Sequence, residues 1–170
     1  MQTYRRADSK MTREKVPLIR KARPTDVAAI HSCVCSAYRH YILRIGKSPG
    51  PMLDDYAEVV KTHLAFVAET EGQVVGVLVL MKRENGILLD NIAVLPEQQR
   101  KGLGRQLLRL AESEAREEGF AYLDLYTHEC MVENVEWYKK LGYREFHRRT
   151  EKGYSRIYMR KSLLLPQSHR

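Results

Sequence analysis

The sequence predicts a single α/β domain, a mixed sheet with helices packed against it. Three observations carry that reading. Segments with apolar residues at helical spacing alternate with short apolar runs of strand length. The run Ile87–Val94 is apolar on both faces, as a strand in the middle of a sheet must be. The segment behind it, Gly102–Glu118, lines up Leu103, Leu107, Leu110, Ala111 and Ala115 in one helical stripe, and Gly119 is placed to end it.

The other elements follow in chain order. Pro17–Ala22 reads as a short strand. Pro24-Thr-Asp opens a helix with Val27, Ile30, Val34 and Ala37 on its apolar face. The glycines and prolines of Ile45–Pro51 mark an irregular loop, and Leu53–Lys61 a second short helix. Strands His63–Glu69 and Gln73–Lys82 are joined by a turn at Glu71-Gly72. Ala121–Tyr126 is a strand, Met131–Leu141 a helix, and Tyr143–Thr150 with Tyr154–Lys161 a closing hairpin. Residues 1–15 and 162–170 hold little that packs, so they read as tails around a domain at 16–161.

Bulk composition narrows the function. A chain of 170 residues with 44% hydrophobic and 29% charged residues suits one soluble core. The longest apolar run is broken by Asp90 and Asn91 and is too short to cross a bilayer. With no signal-like segment and three cysteines in no even framework, the expectation is a cytoplasmic protein away from membranes. The net charge of +8 can attract nucleic acid, a membrane surface or a polyanionic small molecule. It is spread out, and Arg5, Arg6, Lys10, Arg13 and Lys15 fall in the N-terminal tail, so no nucleic-acid partner is expected. His31, Cys33, Cys35 and His40 match no usual zinc spacing, and no metal is expected.

The most informative segment is Val94–Arg105, where a buried strand runs through a basic loop into a helix opened by two glycines. Free N–H groups and a partial positive charge make a helix N-terminus a phosphate site. Gly102 and Gly104 let an anion approach the backbone, and Arg100, Lys101 and Arg105 add charge around the same point. The segment lacks the Gly-Lys-Ser/Thr ending of a nucleotide-hydrolysing loop and the third glycine of a dinucleotide fold.

Gln99-Arg-Lys-Gly-Leu-Gly104 resembles the Gln/Arg-x-x-Gly-x-Gly/Ala signature of the GNAT superfamily of N-acetyltransferases. Asp90–Pro96 is similar to that family's fourth strand, and Glu133–Tyr143 to its Asn-x-x-Ala-x-x-x-Tyr-x-x-x-Gly-Phe element, with Glu136 near the place of a small apolar residue. The resemblance, to single-domain members of bacterial type, spans Pro17 to Lys161. It implies a mostly antiparallel sheet with splayed central strands and acetyl-CoA as co-substrate. The pyrophosphate would sit on the turn Gln99, Arg100, Lys101, Gly102, Leu103, Gly104 and Arg105. The pantetheine arm would lie beside Ile92, Ala93 and Val94, and Asn134 and Tyr138 would stand against the cofactor.

Acetyl transfer to an amine must remove a proton from nitrogen, steady an oxyanion and protonate the departing thiolate. Tyr138 is the candidate donor to sulfur; without the resemblance the favoured reading is a core aromatic on an amphipathic helix. Asp90, a carboxylate in an apolar strand on the side of Leu88, Ile92 and Val94, is the candidate base, acting directly or through water; the alternative is a structural carboxylate holding a loop. Asp124 is second choice. The resemblance implies a strand bulge near Ile92 offering an N–H to the oxyanion. It also makes the first two helices a wall of the acceptor pocket, with Tyr38, Tyr41, Met52, Asp54, Asp55 and Tyr56 as contacts. Those acids suit a cation, whereas Arg148, Arg149 and Arg156 suit an anion. The sequence reading is thus an acetyl-CoA-dependent N-acetyltransferase, monomer or homodimer, acting on a small-molecule or protein amine. Its alternatives are an inactive CoA-binding regulatory module and a nucleic-acid-binding protein.

Overall fold

Glu71 and Gly72 are the only two residues between two long apolar strands, and both take positive φ (53° and 78°). That is the tight turn whose twist suits an antiparallel hairpin. From this hairpin the computed structural model, which describes residues 15–164, builds outward. In chain order the elements are β1 (Leu18–Lys21), α1 (Val27–Tyr38), α2 (Ile42–Ile45), α3 (Tyr56–Thr62), β2 (Leu64–Thr70), β3 (Gln73–Arg83), β4 (Gly86–Val94), α4 (Leu103–Glu117), β5 (Tyr122–His128), α5 (Val132–Lys140), β6 (Arg144–Glu151) and β7 (Tyr154–Ser162).

Among the described residues the strands form one seven-stranded sheet in the order β1-β2-β3-β4-β5-β7-β6. Every neighbouring pair is antiparallel except β4–β5, which α4 connects as a parallel crossover. The β4–β5 ladder holds only three residue pairs, ending at Leu89↔Leu125. Beyond that point β5 continues along β7 as far as His128↔Arg156, while β4 continues along β3. The mixed, mostly antiparallel sheet therefore opens between its central strands.

The helices cover both faces. The α4 stripe of Leu103, Leu107, Ala111 and Ala115 is buried against β3 and β4. Its approach is closest at Gly76, where an added Cβ would lie 3.2 Å from the side chains of Leu103 and Leu107. On the other face Ile30, Val34 and Ala37 of α1 join the core. Two charged residues, Asp26 and Glu112, are buried among the described residues. Glu112 of α4, 6% exposed, accepts hydrogen bonds from the Tyr143 hydroxyl at 3.1 Å and Lys161 Nζ at 2.8 Å.

Element boundaries moved where side chains cap or pack. Asp55 Oδ1 accepts from the N–H groups of Ala57 and Glu58, so α3 starts at Tyr56 instead of Leu53. The chain between α1 and Gly46 stays helical, as a 3-10 turn at Arg39–Tyr41 followed by α2. β5 runs two residues past Tyr126 because β7 keeps pairing with it. Leu163, assigned to the C-terminal tail, is buried, and its N–H donates to Ala121 O at 2.8 Å. Lys15, the last residue assigned to the N-terminal tail, pairs with Glu71 at 2.7 Å. Residues 1–14 and 165–170 of those tails lie outside the described residues.

Candidate active site

The register between β3 and β4 steps from Leu80↔Leu89 to Val79↔Asn91, so Asp90 is the extra residue of a β-bulge. The simple alternation that put Asp90 beside Leu88, Ile92 and Val94 is broken there. The bulge falls two residues before Ile92, and it coincides with the end of the β4–β5 ladder. Asp90 Oδ1 accepts a hydrogen bond from the Tyr126 hydroxyl at 2.8 Å, across the gap that the strands leave. Burial, with the Asp90 charge second, pushes the Tyr126 phenol up, so that it stays protonated and keeps donating. The neighbouring Asp54 carboxyl is also raised, by desolvation and then by Asp90.

The bulge is held from the α1 side by a polar chain. Asn91, 2% exposed, donates from Nδ2 to the Tyr56 hydroxyl at 3.0 Å, and that hydroxyl donates to Pro51 O at 2.7 Å. The Tyr38 hydroxyl lies 2.9 Å from Asn91 Oδ1 and 3.2 Å from Ile92 O. Buried polar groups linked in this way fix one backbone arrangement.

Two cavities meet at the splay. One runs beside β4 toward the start of α4 and is lined by Ala37, His40, Tyr41, Ala93, Val94, Gln99, Gly104 and Trp137. The other opens on the opposite side, lined by Ile45, Pro49, Gly50, Pro51, Leu89, Asp90, Tyr126, Thr127, His128, Met131, Tyr154 and Arg156. Tyr38, Ile92, Asn134 and Tyr138 line both. At the shared point the Tyr138 ring is buried between Trp137 and Tyr143. Its hydroxyl makes no side-chain hydrogen bond among the described residues, and burial holds its pKa above the usual phenol value. Asn134, one turn earlier, accepts from the Tyr41 hydroxyl at 3.4 Å.

At the far end of the first cavity, Gly102 has φ 88° and no side chain to cap α4, and Arg100 is also left-handed at φ 62°. The Gln99 side chain donates from Nε2 to Val94 O at 3.0 Å and ties this turn to β4. Arg100, Lys101 and Arg105 are exposed around it, whereas Leu103 points into the core. An anion can thus reach the first amides of α4 without a Cβ in its way.

The expected site residues fall into two groups. Tyr138, Ile92, Asn134 and Tyr38 are brought together at the junction, Asp90 lines the second cavity beside them, and Ala93, Val94, Gln99 and Gly104 line the first. Tyr41 lies on the cofactor side. Met52 lines neither of these cavities, Asp55 caps α3, and Tyr56 is buried at 2% exposure as part of the Asn91 chain. Asp124 is held by Arg160 at 2.7 and 2.9 Å and lines neither cavity. Arg148 pairs with Glu145 and Arg149 with Glu151, leaving Arg156 as the member of that basic trio that lines the acceptor-side cavity. Sequence reading missed Tyr126, Thr127, His128, Met131 and Tyr154 there, and Trp137 on the cofactor side. The extension of β5 past the splay was the available signal, since Asp124, Tyr126 and His128 share its polar face. Among the described residues no group of three His, Cys, Asp or Glu side chains is placed to hold a metal, and no helix is long and apolar enough to cross a membrane.

This geometry, a splayed sheet with a cleft leading to a glycine-opened helix, is that of an acyl-CoA N-acyltransferase fold, and comparison with known proteins agrees. Residues 61–145 match the model of the acetyltransferase (GNAT) domain. An uncharacterized N-acetyltransferase of Escherichia coli, YjgM, is 31% identical over 136 residues, 75% of this chain and 81% of that protein. N-acetyltransferase family 8 member 3 of Rattus norvegicus is 27% identical over 103 residues, 54% of this chain but only 45% of the rat protein. Among solved structures, the PaiA N-acetyltransferase of Thermoplasma acidophilum, in complex with coenzyme A, superimposes with a TM-score of 0.73 at 18% identity, covering 87% of this chain and 99% of that one. The ribosomal-protein-S18-alanine N-acetyltransferase of Escherichia coli gives 0.71 at 22% identity, with coverage of 91% and 99%. The chain belongs to the GNAT family of acetyltransferases.

Proposed function

We propose that this protein transfers the acetyl group of acetyl-CoA to a primary amine, small molecule or protein, by direct attack in a ternary complex. The observation that carries the reading is the junction of the two cavities at Tyr38, Ile92, Asn134 and Tyr138, with Asp90 bulged into the acceptor side. Residues 16–161 are assigned to the catalytic domain, with tails on either side.

Acetyl-CoA supplies an activated acyl group on a good leaving sulfur. Support for its binding comes from the turn Gln99–Arg105 and from the similarity of fold to a coenzyme A complex. The amides at the start of α4, with Arg100, Lys101 and Arg105, hold the phosphates. The open edge of β4 at Ile92, Ala93 and Val94 offers backbone groups to the pantetheine amides, and Trp137 and Gly104 wall the channel.

In the reaction the amine nitrogen bonds to the acetyl carbon as the carbon–sulfur bond breaks. Asp90 takes the nitrogen's proton, directly or through water, while the Tyr126 hydroxyl holds the carboxylate in place. Tyr138 gives its hydroxyl proton to the departing sulfur; burial keeps that proton on the phenol at neutral pH. The backbone at the bulge faces the developing oxyanion.

The test is thiol release from acetyl-CoA in the presence of amines, for the wild type and Tyr138→Phe. Loss of the donor should lower kcat by about 100-fold, within the range of general acid catalysis, and leave the KM for acetyl-CoA nearly unchanged. An unchanged kcat would remove Tyr138 from the chemistry.

A further inference from the structure

The acceptor cavity has two ends of opposite character, and acetyl transfer alone uses only one of them. Asp90 occupies the inner end. At the outer end stand Arg156 and His128, with Lys47 outside the lining but close enough for its charge to act on His128. The Tyr126 ring links the two ends: its hydroxyl donates to Asp90 at 2.8 Å, and the Arg156 guanidinium carbon lies 4.1 Å from its centroid. Acid and guanidinium are thus separated by little more than one phenol, a span that a small molecule with both charges bridges.

The outer end keeps a donor surplus after its internal contacts are counted. Arg156 Nη1 donates to Glu151 at 2.9 Å, but Arg149 and the Tyr158 hydroxyl share that same carboxylate. One carboxylate facing two arginines leaves a net positive charge, which Asp54, close enough to interact with Arg156, offsets in part; the Arg156 guanidinium, also paired with Tyr158, keeps further N–H groups to offer. Lys47 Nζ sits 3.7 Å from the centroid of Tyr154 and contributes a second cation near His128; the exposed Glu129 opposes it in part. The N–H of Cys130 donates to His128 Nδ1 at 3.1 Å, so the proton of the neutral imidazole is on Nε2, as a donor. Burial, with the charges of Lys47 and Arg156, favours that neutral form.

The cavity is also roofed. The Tyr154 hydroxyl donates to Ser48 O at 2.6 Å and Lys47 Nζ to Lys152 O at 3.3 Å, fastening the loop 46–51 to the β6–β7 turn. Under this roof Ile45, Pro49, Leu89 and Met131 give apolar walls. A roofed, apolar cavity with an acid at one end and cationic donors at the other fits neither a polyamine nor an extended peptide.

We propose that the acceptor is a free amino acid with an apolar side chain, its nitrogen beside Asp90 and its carboxylate against Arg156 and His128. This rests on the acetyl-transfer reading above. The carbon–nitrogen bond forms as the carbon–sulfur bond breaks, and the products are the N-acetylated acid and the CoA thiol.

The experiment compares thiol release with amino acids from alanine to phenylalanine, with their carboxamides, and with 1,4-diaminobutane. Thermal unfolding with acetyl-CoA alone runs alongside. The best amino acid should exceed its carboxamide in kcat/KM by about tenfold or more, the worth of a charge-assisted hydrogen bond. The diamine should be inert. Arg156→Gln should raise the KM of the acid about tenfold and leave that of the carboxamide unchanged, with Arg156→Lys between. The wild-type comparison of acid with amide decides the matter even where a variant fails to fold. An equal or better carboxamide or diamine overturns the proposal alone, as does the absence of amino-acid turnover while acetyl-CoA raises Tm. No rise with acetyl-CoA overturns the acetyl-transfer reading together with it.

Discussion

Asp90 and Tyr138 line one cavity, and in the proposed reaction they carry opposite duties, which their surroundings suit. Tyr138 is buried among rings, with its hydroxyl left for a ligand, so it keeps its proton until a stronger base appears beside it. Asp90 is only partly buried and has a phenol donor, which allows a carboxylate to persist next to apolar residues. Asp90→Asn keeps the shape and removes the base. Its kcat/KM near neutral pH should fall by about 100-fold and recover as pH rises toward the pKa of the acceptor amine, because neutral amine then arrives without help. A loss that stays constant across pH would mark Asp90 as structural. Both residues were marked as candidates in the sequence, Asp90 as an acid inside an apolar strand and Tyr138 through its spacing from Asn134 and the family resemblance. Tyr126 was not, because its role depends on where β5 stops pairing with β4, a long-range fact that local pattern does not encode.

The bulged strand β4 is the element on which the site depends. The extra residue at Asp90 twists the strand as its parallel ladder with β5 ends, and the opening receives two cavities. A bulge adds one residue to an otherwise regular period, so the apolar run Ile87–Val94 did not by itself place it, and only the family resemblance pointed to a bulge near Ile92. The signals that did survive were the polar pair Asp90-Asn91 and the glycines of the following turn. Asn91 ties the bulge to Tyr38 and Tyr56. Asn91→Ala leaves the buried Tyr56 hydroxyl without that donor, and should cost about 2 kcal/mol in denaturant unfolding. It should also lower kcat, since the strand can relax toward a regular ladder. Unchanged stability and turnover would show that the bulge is held by other means. The cap at Asp55 teaches a related lesson: in sequence it resembled a substrate-binding acid, and only the geometry of α3 reveals two backbone N–H groups as its partners.

At the scale of the molecule, hydrophobic pattern was enough to name the class of fold. The central strands and each main helix were visible in periodicity, because one face or both had to be buried against a single core; β6, almost wholly exposed, was legible only as the partner in the closing hairpin. The insertion of β7 between β5 and β6 was not visible in that way, and it is the strand that extends β5 and so places His128 and Arg156 on the proposed acceptor cavity. The net charge of +8 finds a use in this arrangement: Arg100, Lys101 and Arg105 surround the start of α4. Arg20 shows the opposite use, bridging Asp26 at 2.7 Å and Glu69 at 2.6 Å to fasten the start of α1 to the sheet edge. The pair holds Asp26 below the usual carboxylate range, so this stabilisation is present near neutral pH and is lost as pH falls through the lowered value.

The central claim is that acetyl-CoA binds the cleft between the splayed strands and the start of α4. Thermal unfolding of the wild type and Tyr138→Phe in rising acetyl-CoA tests it most directly. At about 100-fold excess over Kd, a ligand that binds only the folded state should raise Tm by about 5 °C or more in a chain of this size. Both proteins should show the rise, since in the proposed reaction Tyr138 acts on the leaving sulfur and not on the phosphates, while only the wild type should release thiol at full rate. No rise in either protein at millimolar acetyl-CoA would contradict the account.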